Sequence, residues 1–173
     1  MATNAVNTIH AINSDDLTRE SSTQLYPIGL RVKVVNSSYY NEQEYIYVKA
    51  HGSLTQYQSY ILKYDGATSL MLKTAAPATG AATVVVPQIA VTSAYYAFVL
   101  VKGEGSCKVS TETYAAGDQL EVLTTGTTAM VDGTSGATVR TVRSFAVSKA
   151  TGTTAASVAV YLYGNSITTI AAT

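Results

Sequence analysis

The sequence holds one cysteine, Cys107, two phenylalanines, three prolines and no tryptophan. A single cysteine excludes an internal disulfide framework, and without a CxxC pair or a His/Cys cluster no zinc or other metal site is proposed. Charge is equally scarce. Asp, Glu, Lys and Arg make up 13% of the chain, against roughly 25% in ordinary domains, and 11 acidic residues cancel 11 basic ones. With no basic cluster to neutralise phosphates, nucleic acid is excluded as a direct ligand. No run approaches the roughly 20 apolar residues of a membrane-spanning helix, so no membrane is expected as partner. The N-terminal stretch MATNAVNTIHAINSDDLTRE has neither the basic segment nor the continuous apolar segment of a secretory leader. The expectation is a protein made in a cytoplasm.

What the chain has instead is Thr, Ser, Ala, Gly and 13 tyrosines. Residues 1–29 are rich in Asn, Ser, Thr and Asp, and Pro27 with Gly29 closes them; they read as an extended N-terminal arm with at most one helical turn. The arm carries Ile9, Ile12 and Leu17, more apolar side chains than a solvated tail needs.

From Leu30 onward, runs of five to nine residues rich in Val, Thr, Tyr and Ile are separated by turn residues, which is the pattern of strands. They are RVKVV (31–35), EYIYVKA (44–50), YQSYILKY (57–64), SLMLKT (69–74), TVVVPQIAVTS (83–93), YYAFVLVK (95–102), SCKVSTET (106–113), DQLEVLT (118–124), TVRTVRSFAVS (138–148) and SVAVYLYG (157–164). No interval carries a helical apolar stripe. The expected fold is therefore all-β, a single antiparallel β-barrel or sandwich spanning 30–173 with the arm before it. Between YYAFVLVK and SCKVSTET, Gly103, Glu104 and Gly105 predict a hairpin turn.

Side chains alternate along a strand. In EYIYVKA, Ile46, Val48 and Ala50 therefore face a core while Tyr45 and Tyr47 face the other way. A tyrosine ring is suited to a contact that is dry on one side and wet at its rim. Tyr45, Tyr47, Tyr95, Tyr96, Tyr161 and Tyr163 are the candidates for subunit contact, and Ile9, Ile12 and Leu17 for anchoring the arm on a neighbouring subunit.

Catalytic signatures are sparse. Gly103 and Gly105 lack the third glycine and following helix of a dinucleotide site, and no P-loop or nucleophile elbow is present. Cys107 with His10 or His51, and the carboxylate pairs Asp15/Asp16, Glu42/Glu44 and Asp118/Glu121, are the residues from which chemistry could be built. Each has an ordinary reading in an arm, strand or turn. The expectation is a protein that is not an enzyme and has no cofactor.

The order of EYIYVKAHGSLT, a Pro/Ala/Thr/Gly-rich middle, YYAFVLVKGEGSCKVST, YAAGDQLEVLTTG and VAVYLYG resembles the capsid decoration (cement) proteins of tailed bacteriophages, over roughly residues 26–164. That resemblance implies a β-barrel or sandwich, a homotrimer, and a place on the outer capsid surface of the virion where major capsid protein subunits meet, after synthesis in the host cytoplasm. It transfers no active-site residue. The competing expectation is a carbohydrate-binding or host-attachment module with tyrosines as stacking platforms.

Overall fold

A computed structural model of the chain describes residues 12–36, 41–65, 69–73, 80–109, 113–123, 129–131, 140–152, 157–164 and 166–169. Among them there is no α-helix, only a 3-10 turn over Ser14–Thr18. The strands are β1 (Arg31–Asn36), β2 (Asn41–Lys49), β3 (Tyr60–Asp65), β4 (Ser69–Lys73), β5 (Gly80–Val85), β6 (Tyr96–Lys108), β7 (Gln119–Leu123), β8 (Ala129–Val131), β9 (Arg140–Ser148), β10 (Ser157–Tyr163) and β11 (Ser166–Thr169). They pair in the order β11-β5-β3-β4-β2-β6-β10-β9-β7-β8, with β1 added on β2. All pairs are antiparallel except one parallel bridge between β2 and β4 at Lys49 and Met71. The path does not close on itself, so the expected all-β fold is a sandwich rather than a barrel.

β2 and β6 form the wall between two apolar clusters. Tyr45, Tyr47, Phe98 and Leu100 point into the first cluster, whereas Ile46, Val48, Ala97, Val99 and Val101 point into the second. The register explains this division, because Tyr47 lies opposite Phe98 and Ile46 opposite Val99. Each large side chain taken fully out of water contributes about 1.5–3 kcal/mol, and this wall is covered on both faces.

The Gly-Glu-Gly stretch lies inside β6 and is not a hairpin turn. β6 runs straight through it for 13 residues, its first half paired with β2 and its second half with β10. Gly103 has φ +97, and two residues before it the β2 register slips at Val101: Glu44 faces Lys102 while Tyr45 faces Leu100. Such a one-residue bulge reverses which alternate residues face inward. Before it Phe98 and Leu100 enter the first cluster; after it Cys107 and Val109 do. Both glycines are required for close approach. A Cβ on Gly103 would overlap the carbonyl oxygen of Glu42, and one on Gly105 would overlap the Leu100 side chain. The glycines therefore let β6 pass close to the β2 backbone and the Leu100 side chain within one continuous sheet.

The described part of the arm, residues 12–29, lies against the body. Ser21 pairs with Tyr96 through two backbone hydrogen bonds of 2.9 Å, and Gly29 and Leu30 pair with Tyr47 at 2.8 Å. Leu17 is buried in the first cluster, with Ile12, Tyr26 and Leu30 packed against it.

Candidate contact surface

Tyr47 is the centre of an aromatic group under the arm. Tyr26 meets it edge-on, with ring centroids 5.3 Å apart at 86°. Phe98 lies 4.9 Å away and Tyr96 stacks at 6.1 Å and 13°. Lys49 Nζ stands 5.5 Å above the Tyr96 ring, a cation–π contact that caps the stack. The amide of Leu25 donates to the Tyr47 hydroxyl at 3.1 Å, so the polar end of the ring is satisfied inside the protein. Burial pushes the Tyr47 and Tyr45 hydroxyls above the ordinary tyrosine value.

This geometry corrects the sequence expectation for Tyr45 and Tyr47. They are 7% and 2% exposed, hence core residues and not subunit contacts. Alternation placed them correctly on the face opposite Ile46; what it could not supply was the cover, which for Tyr47 comes from Leu25 and Tyr26 of the arm and for Tyr45 from the first cluster. Ile12 and Leu17 also pack on the first cluster, Leu17 buried and Ile12 half-buried. Ile9 lies outside the described residues. Tyr95 is half-buried against the second cluster, and Tyr96 is half-buried within the stack.

Asp16 organises the arm. Its Oδ2 accepts the Tyr26 hydroxyl at 2.7 Å and the Asn13 amide at 3.1 Å, and its Oδ1 pairs with Arg19. The Tyr26 hydroxyl, the Asn13 amide and Arg19 hold the carboxyl below its ordinary value although burial acts in the opposite direction. The same bond raises the Tyr26 hydroxyl. Glu20 accepts hydrogen bonds from the Thr92 amide and, at 2.8 Å, from its hydroxyl, fixing the arm to the loop before β6. Sequence reasoning missed the role of Asp16, although Asn13 with an acidic residue three places on is a capping pattern that signals it.

Tyr161 and Tyr163 belong to a different surface. On β10, Val158, Val160 and Leu162 are buried, Ser157 and Ala159 are exposed, and the two tyrosines between them are half-buried on the outward face. Their rings are 6.2 Å apart, and the Tyr163 hydroxyl donates to Gln119 Oε1 at 3.1 Å. The register runs a row across four strands: Glu104 on β6, Tyr161 on β10, Val147 on β9 and Gln119 on β7. Lys102 faces Tyr163, and Lys149 pairs with Glu104 at the edge of the row. Dry ring faces within a rim of amide, carboxylate and ammonium groups are the composition of a protein contact surface.

The candidates for chemistry are dispersed. Cys107 is fully buried beside Val109 and Val158, and burial pushes its thiol up to about 12, far from a thiolate nucleophile. His51 is exposed in a bend, and His10 lies outside the described residues. Glu42 and Glu44 pair with Lys33 and Arg31 at 2.8 and 2.5 Å. Asp118 closes its turn by accepting the Ala115 amide at 2.7 Å, Asp15 is exposed beside the buried Asp16, and Glu121 is fully buried. Among the described residues, no group of three or more His, Cys, Asp and Glu could hold a metal ion, and no helix is long and apolar enough to cross a membrane.

No protein-family model and no curated protein matches the chain. Among solved structures it is similar to the N base of head fiber gp8.5 in bacteriophage phi29, with a TM-score of 0.45 and 11% sequence identity, covering 71% of this chain and 96% of that chain.

Proposed function

We propose that this chain is a non-enzymatic structural protein of a phage virion that decorates the outer surface of the assembled head, bridging major capsid protein subunits as a homotrimer. The observation that carries the reading is the outward face of β10, where Tyr161 and Tyr163 stand half-buried in a polar rim. The order of its sequence motifs, which resembles that of cement proteins, supports it. Attachment is assigned to this face and not to the arm, where Ile12 and Leu17 pack on the first cluster.

The mechanism is linkage. A protein that binds only the assembled shell lowers the free energy of that state by about 2.7 kcal/mol per site at a hundredfold excess over Kd. A trimer that touches several capsid subunits gains again, because its second contact is intramolecular.

The test is co-sedimentation of the purified protein with heads stripped of accessory proteins. The wild type should bind, and Tyr161→Ala with Tyr163→Ala should bind at least tenfold more weakly while its melting temperature stays close to wild type. Failure of the wild-type protein to bind heads overturns the function. Undiminished binding by a folded double variant overturns the assignment of the face.

A further inference from the structure

The arm is built from an anchored piece and a connector. Residues 12–21 make the anchored piece: Leu17 enters the first cluster with Ile12 beside it, Ser21 pairs with Tyr96, and Glu20 binds Thr92. Ser22, Thr23, Gln24 and Leu25 are all exposed. Their hydrogen bonds are short-range, between Ser21 and Thr23 and between Gln24 and Tyr26, apart from the Leu25 amide on Tyr47. A tightly seated segment is thus joined to the body by a lightly held link.

From this division we propose that residues 12–21 are exchanged between copies, so that the seat formed by Tyr96, Thr92 and the first cluster is a docking surface for the same segment of a second copy. The occupant is argued from the seat itself, because the segment that fills it in cis is complementary to it residue by residue. Reciprocal exchange retains each of those contacts with an equivalent partner. The bond from Tyr26 to Asp16 then also runs between copies, since Tyr26 lies beyond the connector and Asp16 before it. The connector of four residues reaches at most about 14 Å when extended, so the partner must lie against this side of the body. This inference goes beyond head decoration and holds or fails without it.

The experiment mixes two full-length single variants, Glu20→Cys and Thr92→Cys, each shown to be folded by circular dichroism. Neither can close this contact within its own chain. The mixture is concentrated, passed through partial unfolding in urea, refolded, oxidised and run on a non-reducing gel. Exchange predicts a Glu20→Cys/Thr92→Cys heterodimer severalfold above that formed when Thr151→Cys replaces Thr92→Cys as a control for random collision. A heterodimer yield equal to the control overturns the proposal. So does an all-monomer product from folded variants.

Discussion

The Tyr26 hydroxyl donates to Asp16 Oδ2 at 2.7 Å, joining the 3-10 turn to the far end of the connector. Because the bonded carboxylate titrates below its ordinary value of 3.8, the arm is stabilised by charge at neutral pH. The sign follows from linkage: a detached arm takes up the proton first, so this contribution is complete above the ordinary value and is lost as pH falls through the lowered one. Hydrogen exchange at the Ser21 and Leu25 amides should accelerate, after correction for intrinsic rates, as pH drops below about 4. Asp16→Asn should remove that acid dependence.

Tyr26→Phe keeps the ring on Tyr47 and removes only the hydroxyl. A loss of about 1 kcal/mol is expected, read as a lower urea midpoint with an unchanged slope.

Tyr47→Ala empties the centre of the aromatic group and should cost roughly 3–5 kcal/mol. Tyr161→Ala should cost under about 1 kcal/mol. Thermal unfolding of the two variants separates a core ring from a surface ring, and equal losses would contradict the placement of Tyr47 in the core and Tyr161 on the surface.

Gly103 and Gly117 both have positive φ, +97 and +98. A Cβ on Gly117 meets nothing within 4 Å, whereas one on Gly103 overlaps the β2 backbone. Gly117→Ala should therefore cost about 1–2 kcal/mol of backbone strain. Gly103→Ala should add overpacking and reach about 3 kcal/mol or more, as measured by chemical denaturation.

Cys107 should resist thiol reagents at neutral pH in the folded protein and react at the rate of a model thiol in denaturant. Its burial and raised pKa set both expectations.

Much of the sheet was legible because each strand carries its own β-branched and aromatic run. Strands β1, β2, β4 and β7 overlap the runs RVKVV, EYIYVKA, SLMLKT and DQLEVLT. The Gly-Glu-Gly stretch was misread as a hairpin because positive φ serves a turn and a mid-strand bulge equally well; only the partners on either side distinguish them. The short strands β8 and β11 offered runs too brief to stand out. The outward placement of Tyr161 and Tyr163 was legible from the alternation of SVAVYLYG, which holds along β10. The burial of Tyr45 and Tyr47 was not, since periodicity shows which residues share a face but not whether a distant segment covers it.

The division of β6 between two partners also has a consequence for synthesis. Its first half pairs with β2, made earlier, but its second half waits for β10, made well after it. Sheets dominated by such distant pairings fold slowly, and on the ribosome the half of β6 that carries Cys107 remains without its β10 partner until that strand emerges.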